Sequence, residues 1–494
     1  MSRRRWRQRP CKAMSPGTFS AMPAARRAEG ILDGDTFVPL SGVTSDSPLV
    51  VGAGALDGVP VLVAFTDGHI RGGTIGIRES GILARLTETA ITGDPRGRRP
   101  AALIIGFDTG GVRVEEGPLA LAAASAVGVA LARLSLQGVH LAAVINGPRG
   151  CFGAPAVMAA LPDRIIMTEG AQWGLTGPKL LGDIGLEAQQ VVPPRRAPSE
   201  KEALAATGAA NRLQNGDAHR VVADRAADVR AALAEFIAAI QTAAAPRSLE
   251  DRLSESAAAA AALQARLQAD KSWRPARIEF AEKARRRDLL RYSFRGQWKP
   301  AGSIQRRGLV QAALGTLANY PALGFIVGPE QAHGSGVGIE EAAVVTDMLA
   351  RAARERGAPP AAVLTFLFCQ GHAVDLAQER LGLARALAEC LRAMVAARLL
   401  GHPIVSVLGG GTYGAAYLAL AAPSHRILAM HGTAVAPMAP EVLRAFEALR
   451  GRRATQPGGA QLAELIPDIR MVESIIRLPR ALREELTKIV EREA

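Results

Sequence analysis

Glycines gather where apolar runs end. Ala101–Phe107 runs into Asp108-Thr109-Gly110-Gly111, and Leu141–Asn146 into a loop holding Gly150 and Gly153. Pro403–Leu408 runs into Gly409-Gly410-Gly411-Thr412-Tyr413-Gly414. In each case a helical pattern follows. A glycine at such a junction lets a ligand approach the backbone, and the unpaired N–H groups of the next helix face it. Two such loops side by side can place two amides on one carbonyl oxygen, which is an oxyanion hole. Taken singly, each loop is also what an ordinary strand-to-helix turn needs. Recurrence at matched positions in two halves of the chain favours the chemical reading.

Other chemistries lack their residues. No GxxxxGK[ST] phosphate loop, GxGxxG turn opening a βαβ unit, or G-x-S-x-G elbow occurs. The eight histidines form no HExxH or paired ligand spacing. Glu115 and Glu116 follow the first glycine pair and suit either acid–base work or a solvated first helical turn.

The elements that position these loops repeat. In the first half, Leu49–Gly54 and Val59–Phe65 read as strands around an Asp57-Gly58 turn, and Gly81–Thr92 as a helix. Strand Ala101–Phe107, helix Pro118–Gln137, strand Leu141–Asn146, helix Ala154–Leu161 and strand Arg164–Thr168 follow. The second half offers strand Ala322–Val327, helix Gly338–Glu355, strand Ala362–Phe368 and a long helix Gln378–Leu400. Strand Pro403–Leu408, helix Ala415–Ala421 and strand Arg426–Ala429 complete it. Apolar strands alternating with helices predict α/β layers, and the repeated order predicts an internal duplication.

The chain has 494 residues, 48% hydrophobic, and a formal net charge of +13. That composition excludes global disorder, and 4% aromatics argues against stacking platforms for single-stranded nucleic acid. The charge is concentrated. Residues 1–28 hold eight basic side chains and no acid, and residues 271–307 hold twelve against three. The remainder is slightly acidic. The first stretch reads as a disordered arm or, with its Arg-rich and acid-free composition, a targeting peptide. No charge-free apolar stretch of about 20 residues occurs, so no membrane span is expected. The cysteines Cys11, Cys151, Cys369 and Cys390 form no CxxC, which removes a zinc ribbon and points to a reducing, cytoplasmic compartment. The expected domains are a basic disordered arm at 1–30, a lobe at 31–245, a basic, partly helical linker at 246–300 and a second lobe at 301–494.

Four motifs carry a family resemblance: Gly72-Gly73-Thr74-Ile75-Gly76, Thr109-Gly110-Gly111-Val112-Arg113-Val114-Glu115-Glu116-Gly117, Gly150-Cys151-Phe152-Gly153 and Gly174-Leu175-Thr176-Gly177-Pro178. Through them the first half resembles the carboxyltransferase branch of the crotonase superfamily, and within it the β subunit of biotin-independent malonate decarboxylase. Residues 300–494 resemble the γ subunit, best at Cys369-Gln370-Gly371-His372 and from Ala396 to Ile404. The chain departs from the pattern at Ala154, Lys179, Tyr413 and Ala436.

The resemblance implies an α/β fold of two crotonase-like lobes (ClpP/crotonase, ββα-superhelix) in one chain, a fused β–γ protein. It implies decarboxylation of a malonyl thioester on an acyl carrier protein, with Gly110, Gly111, Gly150, Cys151, Phe152 and Gly153 at the reaction site. It places Gly72, Gly73, Arg113, Gly177, Gly410, Gly411 and Gly414 against substrate. No metal or biotin is required. The substrate would ride on a phosphopantetheine-type arm or on coenzyme A. Expected partners are a δ-type acyl carrier subunit, whose acidity would suit the basic stretches, and an α-type acyl-carrier transferase, in a homo- or hetero-oligomer without membrane or nucleic acid. Two alternatives stand beside this: a biotin-dependent acyl-CoA carboxyltransferase subunit and a non-catalytic scaffold.

Overall fold

The computed structural model describes residues 17–40, 46–93, 99–181, 198–242, 248–273, 298–300, 305–317, 320–328, 336–354, 361–368, 371–409, 411–431, 433–440, 442–444, 474–476 and 488. Strands β1 (Leu49–Leu56) and β2 (Val59–Thr66) form a hairpin. Its tip, Asp57 at φ +51° and Gly58 at φ +75°, adopts the left-handed pair that matches strand twist. The Asp33 carboxylate caps it, accepting the Asp57 and Gly58 amides at 3.0 and 2.8 Å. Helix α2 (Ile77–Thr92) leads to β3 (Ala102–Phe107), α3 (Gly117–Leu136), β4 (His140–Ile145), α4 (Ala154–Ala159) and β5 (Arg164–Thr168). After α5 (Glu200–Thr207) and α6 (Ala209–Gln214), β6 (Arg220–Val222) closes a seven-stranded sheet, with Val38–Pro39 on its other edge. From β2 to β6 every pairing is parallel. These strands are buried on both faces, so they read as unbroken apolar runs. Helix α7 (Ala226–Gln241) covers one face.

The second lobe has the same order. Strands β7 (Val310–Leu317) and β8 (Tyr320–Val327) form the antiparallel hairpin. Helix α9 (Ile339–Arg354), after the connecting helix α8 (Leu249–Ala269), leads to β9 (Ala362–Leu367). Helices α10 (Leu376–Leu381) and α11 (Leu383–Leu399), then β10 (Ile404–Leu408), the helical turns Gly414–Ala416 and Tyr417–Ala421, and β11 (Arg426–Met430) follow. Strands β8 to β11 are parallel. The sequence missed β7, whose small residues conceal its period, and read α10 and α11 as one helix. Gly382 at φ +98° breaks that helix, a conformation unavailable to other residues without strain. The chain is therefore α/β with two lobes of one plan.

One apolar core runs through both lobes, joining Leu121, Val127 and Leu131 of α3 to Leu387, Leu391 and Met394 of α11. Gly128 lets α3 approach the turn at Leu418; a β-carbon there would sit 2.7 Å from the leucine. Helix α3 is also long and apolar enough to cross a membrane, but two-thirds of that apolar window is buried within the protein. Helix α8 lays Leu253, Ala260, Leu263 and Leu267 against the second lobe's helices. The expected linker is thus helical and packed over Leu249–Ala269, while 274–297 lies outside the described residues.

The N-terminal reading needs correction. From Phe19 the chain is seated on the first sheet, not disordered. The Phe19 amide donates to Asp224 O at 2.9 Å and its ring meets Phe65 edge-on at 6.3 Å. Helix α1 (Ala24–Ile31) buries Ala24, Arg27, Ala28 and Ile31. An arginine run looks solvated by composition, but its spacing puts Arg27 on the apolar face of a helix. Residues 1–16 lie outside the described residues.

Candidate active site

Four loops at the carboxyl ends of the first lobe's strands lie side by side. Ile75 pairs with Val112: the Ile75 N–H donates to Gly111 O at 3.0 Å, and the Arg113 N–H to Ile75 O at 2.9 Å. Thr109 pairs with Cys151, the Thr109 N–H reaching Gly150 O at 2.7 Å and the Phe152 N–H reaching Thr109 O at 3.3 Å. Cys151 pairs with Trp173, and the Gly153 N–H reaches Leu175 O at 3.1 Å. The structure therefore gathers Gly72, Gly73, Gly110, Gly111, Gly150, Cys151, Phe152, Gly153 and the Gly177 loop into one ladder.

Asp108 holds the ladder from beneath. Fully buried, its carboxylate accepts the Gly68 amide at 3.1 Å and the Arg149 amide at 3.0 Å. Gly73 and Gly147 crowd it so closely that a β-carbon on either would sit about 2 Å away, at 1.9 Å from Asp108 O and 2.1 Å from Asp108 Cγ. Arg27 supplies the countercharge, 3.5 Å from Asp108 and 3.8 Å from Asp67, with further bonds to Thr66 O at 3.1 Å and to Asn146 Oδ1. Burial pushes the Asp108 carboxyl up and the Arg27 guanidinium down, and each opposes the other's shift.

The ladder corrects the choice of oxyanion donors. The Gly110 N–H is engaged by Gly72 O at 2.9 Å and the Gly111 N–H by Thr109 Oγ1 at 3.1 Å. The amides of Gly150, Cys151, Phe152 and Gly153 are likewise bonded within the ladder, to Gly147 O, Gln172 O, Thr109 O and Leu175 O. Two others differ. Because Ile75 uses Gly111 and Arg113, Val112 turns its own N–H away from Ile75. Ala154, first residue of α4, has no intrahelical acceptor for its N–H. Between them lie Gly111 at φ +121° and Gly153 at φ +68°, where a β-carbon on Gly111 would stand 3.4 Å from Phe152 O. The two glycines keep side chains out of this gap.

Other expected residues have different tasks. Arg113 is largely buried and clamped internally, 2.6 Å from Glu116, 3.0 Å from Glu79 and 2.8 Å from Thr74 O. Glu79 and Glu116 in turn cap α2, accepting the Gly76 and Ile77 amides at 2.9 and 2.7 Å. Arg113 therefore braces the loop, and the Glu116 carboxylate is engaged by Arg113 and the Ile77 amide. The Cys151 thiol is fully buried, and burial raises its pKa well above the usual thiol range. Gly72 and Gly177 have open space beside them.

The second lobe repeats the ladder. The Val337 N–H donates to Gly371 O at 2.8 Å and the Ala373 N–H to Val337 O at 3.0 Å. The Gly338 amide is capped by Glu341 at 2.9 Å and the Ile339 amide by Gln378 at 2.8 Å. These bonds match Ile75, Gly111, Arg113, Gly76–Glu79 and Ile77–Glu116 one for one. A β-carbon on Gly371 would stand 3.6 Å from Tyr413 O, so Tyr413 occupies the place of Phe152 and Gly414, at φ +51°, that of Gly153. Tyr413 is thus the second-lobe counterpart of Phe152. Gly411 makes room for the Tyr413 ring, and Gly410 lies outside the described residues. Ala436 pairs with Tyr413 in a short parallel ladder.

Across the seam the two ladders touch. Glu379, buried on α10, accepts the Leu175 and Thr176 amides at 3.1 and 2.7 Å. His372 Nε2 lies 3.2 Å from Thr176 Oγ1. Arg212 braces the same corner, donating to Trp173 O at 3.0 Å and Glu379 O at 2.7 Å. Sequence reasoning missed Arg27, Asp108 and Glu379. One signal was present: Ile75-Gly76-Ile77-Arg78-Glu79 recurs as Val337-Gly338-Ile339-Glu340-Glu341, the capped start of α2 and α9. Among the described residues no three His, Cys, Asp or Glu side chains cluster as metal ligands would. A polar cleft of about 250 Å³ lies elsewhere, where α8 and α11 meet the loop before β5.

This fold and site define a carboxyl transferase domain: residues 7–244 match the family of that description. The chain belongs to that family, and its relatives include malonate decarboxylase components. It is 30% identical over 190 residues to the malonyl-S-ACP:biotin-protein carboxyltransferase MADC of Malonomonas rubra, covering 33% of this chain and 59% of that one. It is 34% identical over 152 residues to the acetyl-coenzyme A carboxylase carboxyl transferase subunit beta of Opitutus terrae, covering 31% and 49%. The chain spans about half the length of these curated relatives. Among solved structures, a Pseudomonas malonate decarboxylase hetero-tetramer in complex with malonate is 30% identical, covering 45% of this chain and 83% of that one, with a TM-score of 0.40. The transcarboxylase 12S hexamer is 18% identical over 95% and 89%, with a TM-score of 0.37.

Proposed function

We propose that this chain decarboxylates a malonyl thioester carried on an acyl carrier protein, giving the acetyl thioester and CO₂. One observation carries the reading: two matched backbone cradles, one per lobe, meet within a single chain. Loss of CO₂ leaves the C–C bonding pair on the α-carbon and thioester oxygen. The Val112 and Ala154 N–H groups suit that developing oxyanion, and donors fixed before reaction are worth most in a water-poor site. The equivalent amides of His372 and Ala415 suit the departing carboxylate. A proton from solvent then completes the acetyl group. The carrier's phosphopantetheine-type arm, or coenzyme A, would bring the thioester in, with the δ-type carrier and α-type transferase as partner subunits.

The test is CO₂ release from malonyl-loaded carrier protein by the purified chain, beside Gly111→Val, which fills the first cradle. Turnover that Gly111→Val abolishes supports the reading; no turnover with fully loaded carrier overturns it. A second reading, carboxyl transfer to a biotin carrier, is supported by the biotin-protein carboxyltransferase among the relatives. It requires turnover that depends on added biotinylated protein.

A further inference from the structure

We propose that His372 is a positioning residue of this reaction site, working through Thr176 to hold the two cradles in register. The proposal rests on the decarboxylase reading and extends it to a side chain. His372 is the second-lobe counterpart of Val112, so its backbone belongs to the second cradle. Its ring faces the turn there, since a β-carbon on Gly414 would stand 4.0 Å from His372 Nδ1. Its other nitrogen, Nε2, crosses the seam to Thr176 Oγ1 at 3.2 Å. Thr176 follows Leu175, the residue whose carbonyl receives the Gly153 N–H of the first cradle. A continuous path therefore runs from Gly153 through Leu175, Thr176 and His372 to Gly414.

His372 serves this role as the Nε2–H tautomer, donating to Thr176 Oγ1 and leaving Nδ1 as an acceptor over the second cradle. Burial keeps this imidazole neutral, its pKa lowered to about 4. A neutral ring fits a place beside an anionic intermediate without trapping it as an ion pair.

The experiment compares wild type, His372→Ala, His372→Gln, Thr176→Val and the Ala–Val double variant in CO₂ release from malonyl-loaded carrier protein, alongside thermal unfolding. Misplacing the cradles is expected to lower kcat about tenfold or more in His372→Ala and Thr176→Val, with KM within about twofold. The double variant should be no slower than the worse single one, and the amide of His372→Gln should restore most of kcat. Wild-type turnover with an unaffected His372→Ala, or losses that multiply in the double variant, overturns the proposal. A silent wild type overturns the decarboxylase reading instead. In that case ¹⁵N-histidine NMR at neutral pH still decides the contact: a protonated Nε2 that changes in Thr176→Val supports it, and a protonated Nδ1 refutes it.

Discussion

Arg27 reaches from the first helix to Asp108 beneath the glycine ladder, with 3.5 Å between guanidinium and carboxylate and both side chains fully buried. The pair ties a segment that reads as a solvated arm to Asp108, two residues before Gly110. Removing one member strands the other charge. Arg27→Met is expected to destabilise the protein by about 3–5 kcal/mol, measured by urea unfolding. A loss below about 1 kcal/mol would show that Asp108 needs no partner.

The glycine pair at 72 and 73 separates conformational from steric demand. Both residues sit at φ +67°, but only Gly73 faces a wall, the Asp108 carbonyl. Gly72→Ala should cost about 1 kcal/mol, the left-handed penalty alone. Gly73→Ala should cost about 4 kcal/mol or more. Equal unfolding free energies for the two variants would contradict the close approach.

Glu379 and His372 give opposite pH signatures at one seam. Burial raises the Glu379 carboxyl above its ordinary 4.5, so the native state favours the protonated form. Its contribution to stability is therefore greatest below pH 4.5 and falls as pH rises through the raised value. His372 is lowered from 6.5 to about 4, so the native state favours the neutral ring. Its contribution is intact above 6.5 and falls as pH drops toward 4. Unfolding free energy followed from pH 4 to 7 should lose the acid-side decline in His372→Gln and the opposing trend in Glu379→Gln. Unchanged slopes would show that neither group is shifted.

Cys151 lies in the loop expected to do chemistry, yet its thiol is sealed and its pKa raised. Iodoacetamide should leave it unmodified in the native protein at pH 8 and label it after unfolding. Cys151→Ala should keep CO₂ release within about threefold, as expected of a small buried apolar group. Native labelling accompanied by loss of turnover would show instead an accessible thiol at the reaction site.

The sequence by itself determined the duplication, the strand-to-helix glycine loops and most element boundaries. Strand Arg164–Thr168 and the starts of helices at Ala154 and Pro118 follow from apolar period, glycine and proline, all of which act over a few residues. What it could not decide was which amides remain free. Gly110 and Gly111 look like donors in the chain, but Gly72 O and Thr109 Oγ1 accept their N–H groups, which leaves the Val112 and Ala154 amides as the proposed donors. The Gly110 bond depends on which loop lies beside which, a relation between residues 38 apart in sequence. Arg27, Glu379 and His372 were obscured for the same reason. Each is a common polar side chain locally, and becomes part of the site only when tertiary packing removes water from it and sets its partner, Asp108 or Thr176, within reach.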